Sequence, residues 1–488
     1  MSEDREKIKT TPEENIDTPE KIGTPEKIGA PKAKDTTKNM TEGPPMRLIL
    51  GFSLPLVLGT LMQQLYLVVN MVIVGRFVSV KAFAGVGVTG AINFLIIGLC
   101  LGLCSGFAIP VAQKFGAGDY KLMRRFMANS IWLSIIFAII LTILTTALAG
   151  PILRMMKTPD DIFGYAYSYI FVIFLGIPTV FLYNLLAGVM RAIGDSKTPM
   201  KILVVSTIAN ILLAILFVIV LEKGTRGAAY ATVTSQLISG SLCLILLMKK
   251  FPILHIQKDE WRWQPSLVLT LCGMGIPMGL QYSITAIGSV ILQSAVNTLG
   301  SAAVASIAAA VKVSVFFSCA FEALGSAMAT YSGQNVGAGR LDRLNKGLKA
   351  SIIIGVVYSL AAYVVIWFFG REITMLFIDG SEAHILDNSV LYLRISTAFF
   401  IPLALVIIYR FMIQGMGFGP LAIVAGICEL VARALAAYYL VPHFGFAAAA
   451  IASPLAWILA DIFLVPAYHY CKKKLTATVK ERTISQHE

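Results

Sequence analysis

The chain has 488 residues, of which 57% are hydrophobic and 14% charged, with a mean hydropathy of +0.76 and a formal net charge of +13. Soluble globular chains carry about 25% charged residues, so this composition excludes a water-soluble enzyme. Residues 1–47 and 471–488 hold 19 and 7 of the 67 charged residues, and the remainder is sparse enough in charge to lie in lipid. The excess positive charge lies in short segments between apolar runs, so it indicates membrane topology and not a nucleic-acid partner.

The N-terminal segment 1–46 contains Thr-Pro-Glu at positions 11, 18 and 24 and no aromatic residue. A Pro-rich, charged segment of this kind buries too little apolar surface to order itself, which predicts a disordered tail. No cleavable signal precedes it, so we expect the first apolar run after Arg47 to act as an uncleaved anchor.

Apolar runs of about 20 residues predict an all-α polytopic membrane protein of twelve transmembrane helices. We expect the helices near 48–75, 83–110, 126–150, 164–190, 199–221, 227–248, 266–298, 303–333, 347–369, 389–415, 420–441 and 445–470. With a cytoplasmic tail, the inside loops carry 16 Lys and Arg residues and the outside loops 7. This bias predicts a multi-pass protein of the cell membrane with both termini cytoplasmic.

The second half of the sequence repeats the first. Gln113-Lys-Phe-Gly-Ala-Gly corresponds to Gln334-Asn-Val-Gly-Ala-Gly at an offset of 221 residues, and three further pairs of segments have offsets of 218, 222 and 224. Six spans in each repeat return the chain to its starting side, so two six-helix lobes should be related by a pseudo-two-fold axis along the membrane normal. The expected parts are an N-terminal lobe 47–249, a cytoplasmic linker 250–265, a C-terminal lobe 266–470 and a cytoplasmic tail 471–488.

Both copies of the Gln-x-x-Gly-Ala-Gly motif, and the run from Ala187 to Pro199 (Ala-Gly-Val-Met-Arg-Ala-Ile-Gly-Asp-Ser-Lys-Thr-Pro), resemble the multidrug and toxic compound extrusion (MATE) transporters. This resemblance implies a V-shaped pair of lobes that rocks between inward and outward states. It implies a secondary active exporter of amphiphilic, cationic small molecules in exchange for H⁺ or Na⁺. We expect no enzymatic activity, no cofactor, contact with membrane lipid and a monomer.

Charged residues inside the spans are functional candidates because a charge in the membrane is costly. They fall in the second half, which predicts that ion coupling runs mainly through the C-terminal lobe; the coupling candidates are Glu429, Lys312, Arg433, Asp461 and Glu322. Lys312 and Glu429 each lie nine residues from a span end, about 14 Å deep, so they are expected to be able to meet. Arg394 and Arg410 lie toward the ends of their span. Extension of each side chain to the membrane–water interface explains the presence of a charged residue there.

Two interpretations of Glu429 stay open at this point. It shares a helix face with Arg433 at a spacing of i, i+4. In one interpretation the carboxylate takes up or releases a proton as its cationic neighbours move. In the other, Glu429 belongs to a permanent buried ion pair that fixes helix packing.

Neutral amides form the second group of candidates, which either line a substrate path or hydrogen-bond between helices. They are Gln64, Asn70, Asn184, Asn210, Gln281, Gln293 and Asn297. MATE proteins that couple protons through the N-terminal lobe have Asp where this chain has Asn70 and Ala214. Neither of these residues can titrate, so proton coupling through this lobe is not expected.

Equivalent prolines of the two halves, Pro55 with Pro277 and Pro178 with Pro402, are the hinge candidates, with static kinks as the alternative. The seven cysteines and five histidines show no metal-type spacing, so no metal site is expected. Two other functions stay open. A flippase for lipid-linked precursors would need more basic residues along the cleft, and a membrane receptor would bind its ligand without any gradient.

Overall fold

The structure is a computed structural model that describes residues 39–376 and 382–484, with side chains up to Val479. The described part contains fifteen α-helices: α1 Pro45–Phe77, α2 Val80–Val88, α3 Gly90–Gly116, α4 Tyr120–Met155, α5 Asp160–Leu175, α6 Ile177–Ala192, α7 Lys197–Ala214, α8 Gly224–Lys250, α9 Pro265–Asn297, α10 Ser301–Gly337, α11 Asp342–Met375, α12 Ala383–Ala398, α13 Phe400–Gly415, α14 Gly419–Leu435 and α15 Val441–Ile484. Short π-helical segments, Ile215–Val220 and Ala436–Leu440, follow α7 and α14.

Nine helical segments of the described residues are long and apolar enough to cross a membrane. Two bent pairs, α5 with α6 and α12 with α13, each form one more span. One of the nine segments, Gly419–Val479, has 61 residues, about 90 Å of helix at 1.5 Å per residue, which is two membrane crossings. It breaks at Gly445, whose φ of 58° is not helical. The twelve predicted spans are therefore confirmed.

The bends in the two broken spans lie beside prolines. The angle is 47° between α5 and α6 and 50° between α12 and α13. Pro178 is the second residue of α6 and Pro402 the third of α13, where the missing proline N–H is tolerated in the first turn of a new helix. The sequence repeat therefore produces the same broken span in each lobe.

Four helices end in the same way on one side of the membrane. Gly118, Gly194, Gly339 and Gly417 have φ between 70° and 98° and each lies two residues beyond the end of α3, α6, α10 or α13. Glycine adopts this left-handed conformation without a Cβ clash, and so ends a helix abruptly. We call this side, where Met40 also lies against α10, the tail face.

The first helix of each repeat belongs to both lobes. The first half of α1 places Phe52 and Leu56 in the core of the C-terminal lobe, whereas its second half places Ile73 and Val74 in a cluster of the N-terminal lobe. The start of α9 places Leu271 in the core of the N-terminal lobe, and its end packs within the C-terminal lobe. Each lobe therefore includes part of a helix from the other repeat.

Helices α3 and α9 approach so closely that their backbones touch. A Cβ on Gly102 would lie 2.5 Å from the Cα of Gly279, and a Cβ on Gly106 would lie 2.4 Å from the Cα of Gly275. Both helices thus carry a Gly-x-x-x-Gly motif at the crossing, the arrangement that lets transmembrane helices pack at short distance.

The linker between the lobes is fixed to α4. It contains two 3₁₀ turns, Pro252–Leu254 and Lys258–Trp261. The guanidinium of Arg124 donates two hydrogen bonds of 2.7 Å to the carboxylate of Glu260, whose side chain is fully buried. Asn129 accepts a hydrogen bond of 3.0 Å from the backbone of Gln264. These contacts hold the linker against the N-terminal lobe.

The N-terminal tail differs from the expectation at its inner end. Of the predicted tail 1–46, residues 1–38 lie outside the described residues. Residues 39–44 pack against α10 and α11, and Met40 is fully buried. The chain after 470 continues as helix to Ile484, and 485–488 lie outside the described part.

We predict that Gly106→Ala destabilises the protein, because the new methyl group meets the backbone of α9 and overpacking of this kind costs about 1–3 kcal/mol. Gly273→Ala is the matched control on α9, since nothing lies within 4 Å of its Cβ position and Gly→Ala in a helix gains about 0.5–1 kcal/mol. The midpoint temperature of thermal unfolding in detergent should fall for Gly106→Ala and rise for Gly273→Ala. Equal stabilisation of both would contradict the close contact.

We also predict a pH-dependent contribution from Glu260. Hydrogen bonds from Arg124 lower the pKa of Glu260 from its ordinary value of 4.5, so the contact stabilises the folded state above that pH and is lost as pH falls through the lowered pKa. The free energy of unfolding of the wild-type protein should exceed that of Glu260→Gln by about 2 kcal/mol at pH 7. This difference in stability should become smaller below pH 4.5.

Unfolding curves of the wild-type protein and of Glu260→Gln, recorded from neutral to acidic pH, measure this difference in stability. Asp259→Asn is the control, because the Asp259 carboxylate is half exposed and 3.8 Å from Lys121. If the difference in stability between wild type and Glu260→Gln does not change with pH, the lowered pKa of Glu260 contributes nothing to the stability of the fold.

Candidate functional site

A cavity of about 390 Å³ lies between the two lobes. Helices of both repeats line it; the side chains that give it its chemical character are Gln63, Gln64, Phe94, Tyr183, Asn184, Arg191, Tyr282, Glu322, Thr330 and Phe411. Its volume is within the range of sites for drug-sized molecules, and aromatic walls with a few polar groups are typical of such sites.

The cavity wall carries one charge of each sign. Glu322 of α10 is exposed on this wall, and Arg191 near the end of α6 is half-buried there. Tyr282 lies within electrostatic range of both groups, and it packs against α3 at Gly98. The cavity therefore offers a carboxylate beside aromatic rings, a combination that attracts an organic cation.

A buried charge cluster lies in the C-terminal lobe. Glu429 of α14 accepts hydrogen bonds from Arg410 of α13, through Oε1, and from Arg433 of its own helix, through Oε2 at 3.0 Å. The three residues are 3%, 6% and 6% exposed, respectively. Two guanidinium groups on one carboxylate leave the triad with a net charge of +1.

This arrangement corrects two sequence-based interpretations. Arg410 does not extend to the interface but is buried against Glu429. Lys312 does not meet Glu429: its side chain is exposed on α10, and no ion pair in the described part of the chain includes it. The pairing of Glu429 with Arg433 is present, as the i, i+4 spacing indicates.

Several polar atoms around the triad are buried without a hydrogen-bond partner among the described residues. They are Nε of Arg410, Nη1 of Arg433, Oδ1 of Asp461 and Oε1 of Gln414. Arg410 lies within electrostatic range of the carboxylates of Glu322 and Asp461. The structure thus groups four of the five predicted coupling residues around Arg410, with Glu322 also facing the central cavity.

The N-terminal lobe has a neutral polar cluster instead. Asn70 donates to the hydroxyl of Thr232 at 3.4 Å, and Asn210 donates to that of Ser235 at 3.2 Å. The carbonyl oxygens of both asparagines and of Gln236 are buried without a partner in the described residues. These oxygens offer neutral acceptors and no titratable carboxylate.

The remaining amide candidates separate into three environments. Gln64 and Asn184 line the central cavity. Gln281 is buried and accepts a hydrogen bond of 2.7 Å from Gln414 near the charge cluster. Gln293 and Asn297 are exposed on α9, where Gln293 donates a hydrogen bond of 2.9 Å to Asn297, and neither residue lines the central cavity.

Arg191 is not among the residues that the sequence singles out as site candidates, and Arg410 is expected there only near a span end. A signal existed for Arg410. Because α13 and α14 form a hairpin around residues 416–418, residues at similar distances before and after this turn reach similar depths. Arg410 lies six residues before this turn and Glu429 eleven residues after it, about 9 and 17 Å along their helices, and the long arginine side chain spans the difference.

Comparisons with known proteins agree with this architecture. The family model MatE matches residues 55–216 and again 277–439, the offset expected from the repeat. Two proteins of Bacillus subtilis are similar to the chain: the probable multidrug resistance protein YpnP, 29% identical over 71% of this chain and 77% of its own length, and the probable multidrug resistance protein YoeA, 27% identical over 70% and 76%.

A solved structure described as the outward-facing conformation of a multidrug resistance MATE family transporter superposes with a TM-score of 0.84 at 23% identity, covering 91% of this chain and 99% of that one. This likeness concerns the fold, while the family model matches more than half of the sequence in two copies. With two broken-span lobes around a central cavity, the chain belongs to the MatE family, the multidrug and toxic compound extrusion transporters.

Proposed function

We propose that the protein is a secondary active exporter that exchanges amphiphilic organic cations for H⁺ or Na⁺ by alternating access between its lobes. The observation that carries this proposal is the cavity between the lobes, where Glu322 lies among aromatic and amide side chains. A carboxylate there serves a cationic substrate and a coupling cation in turn, because only one of them can neutralise it at a time.

Coupling through the C-terminal lobe is supported by the count of charges around Arg410. The group contains two guanidinium groups and the three carboxylates of Glu322, Glu429 and Asp461. Ionised together, they carry a net charge of −1, and one added proton or Na⁺ brings the group to neutrality. Low dielectric favours that neutral state.

Within this group we assign different roles to the carboxylates. Glu322 faces the cavity and Asp461 has an unpartnered oxygen, so these two exchange the cation. Glu429 is held by both arginines, so it acts as their fixed counter-charge. The neutral cluster around Asn70 and Asn210 contributes oxygen ligands along the path and no proton acceptor.

The orientation and motions of the protein belong to the same proposal. The tail face is cytoplasmic, in agreement with the Lys and Arg bias, and a monomer in the cell membrane is the transporting unit. Pro55 lies between Phe52 and Leu56, in the part of α1 that packs on the C-terminal lobe, and Pro277 lies between Gly275 and Gly279, in the part of α9 that packs on α3. Pro178 and Pro402 lie at the 47° and 50° bends, so lobe movement is accommodated at these two positions, while Pro55 and Pro277 remain hinge candidates within the helices that both lobes share.

We predict that Glu322→Gln lowers gradient-driven export of a cationic dye at least tenfold, because the glutamine binds neither the cation nor the coupling ion electrostatically. The assay uses liposomes with separately imposed pH and Na⁺ gradients and both cationic and anionic dyes. Glu372→Gln, on the exposed surface of α11, is the control and should transport normally.

Normal export by Glu322→Gln would exclude the proposed exchange site. A wild-type protein that responds to neither gradient would exclude the antiport itself. In that case, ligand binding that does not depend on a gradient would favour a receptor function. Movement of lipid-linked substrates across the membrane would instead favour a flippase function.

We predict that Glu429→Gln mainly destabilises the fold. It removes the carboxylate to which both buried guanidinium groups donate hydrogen bonds, and loss of one partner of a buried ion pair costs about 3–5 kcal/mol. Glu429→Gln combined with Arg410→Gln should recover part of this loss, because the double variant restores the charge balance. Thermal unfolding of the single and double variants measures the effect.

The alternative hypothesis, a movable proton on Glu429, predicts something else. Glu429→Gln would then keep wild-type thermal stability and lose only the gradient-driven part of transport. That outcome would contradict the role of Glu429 as a fixed counter-charge.

A further inference from the structure

The two copies of the Gln-x-x-Gly-Ala-Gly motif bind to each other's lobes on the tail face. Nε2 of Gln113, near the end of α3, donates to the carbonyl oxygen of Gly415 at the end of α13, at 3.0 Å. Nε2 of Gln334, near the end of α10, donates to the carbonyl oxygen of Ala192 at the end of α6, at 2.8 Å. Both bonds cross between the lobes, and donors and acceptors occupy equivalent positions of the repeat.

The helix ends around these glutamines touch through glycine. A Cβ on Gly116 would lie 2.0 Å from the carbonyl oxygen of Gln334, and a Cβ on Gly337 would lie 1.7 Å from that of Gln113. The central cavity ends at this contact, since Ala112 and Ala192 belong to its lining. The reciprocal pair therefore closes the cavity toward the tail face.

One of the two glutamines is held further by the segment before α1. We call residues 39–44 the strap. The backbone N–H of Met40 donates to Oε1 of Gln334 at 2.8 Å, while Nδ2 of Asn335 donates to the carbonyl oxygen of Met40 at 3.2 Å. Arg343 donates through Nη2 to the carbonyl oxygen of Gly43 at 2.7 Å.

The strap orients the amide of Gln334. With its oxygen accepting from Met40 and its nitrogen donating to Ala192, both polar atoms of the side chain are occupied, and the residue is fully buried. The Met40 side chain is also fully buried, in the core of the C-terminal lobe. Gln113, by contrast, is half-buried, and the strap contacts described above involve only the other glutamine.

We propose that Gln113 and Gln334 form a two-armed latch that holds the tail-face side of the transport path closed, and that the strap is a positioning element for the Gln334 arm. Opening toward the tail face then requires both cross-lobe bonds to break. Release of Met40 weakens only one of them. The inference rests on the proposed alternating access, because only a protein that opens on this face needs such a latch.

The test measures access to the cavity from the tail face. In a variant without its native cysteines, Thr330→Cys places one thiol on the cavity wall, and a membrane-impermeant maleimide is supplied only on the tail face. No substrate or gradient is present, so failure of the antiport proposal leaves this result readable.

We expect Gln113→Ala and Gln334→Ala each to raise the labelling rate about fivefold, because each removes one cross-lobe hydrogen bond. Met40→Asp places a charge in the buried site of the Met40 side chain, which displaces the strap, and should raise the rate by no more than Gln334→Ala. Glu42→Ala, at an exposed strap position, should leave it unchanged. If Met40→Asp accumulates poorly, Met40→Ala replaces it, because it removes only the buried side chain.

Double variants separate positioning from a general loosening of the structure. Met40→Asp added to Gln334→Ala should have no further effect, because the strap acts through the residue already removed. Met40→Asp added to Gln113→Ala should multiply the two single effects. Unchanged labelling in both glutamine variants would exclude the latch, and independent effects of Met40 and Gln334 would exclude the role of the strap.

Discussion

The contact between α3 and α9 is the constraint on which the rest of the site depends. Two Gly-x-x-x-Gly motifs bring the helix backbones together, and this fixes α9, the first helix of the second repeat, against the N-terminal lobe. The same helix then directs Tyr282 to the cavity wall and Gln281 to Gln414 beside the charge cluster. A longer side chain at the crossing would move the cavity wall and the contact with Gln414 together, because the same helix carries both.

The number of spans and the repeat could be predicted because both depend on local patterns. Apolar runs of membrane length predict helices wherever the chain places them, and a repeated offset predicts two similar lobes. The depth of Glu429 and its pairing with Arg433 follow equally from spacing on one helix. These features need no knowledge of how one helix packs against another.

Features that depend on the packing of different helices could not be predicted in the same way. Arg410 was counted from the end of a span, although its partner lies on the other arm of the hairpin. Met40 was assigned to a polar tail by composition, yet it is buried because α10 and α11 offer it both an apolar site and hydrogen-bond partners. Gly102 and Gly106 are small residues that permit close helix packing, but the sequence does not indicate that α9 is the helix that packs against them.

The sharing of α1 and α9 between the lobes has a consequence for biogenesis. A ribosome delivers α1 long before α10, so Phe52 and Leu56 face lipid until Phe321 and Leu324 of the partner core have been inserted. The N-terminal core is likewise incomplete until Leu267 and Leu271 arrive with the second repeat. Neither repeat is therefore an independent folding unit, and a gene split after residue 250 would yield two halves that mature only by assembling with each other.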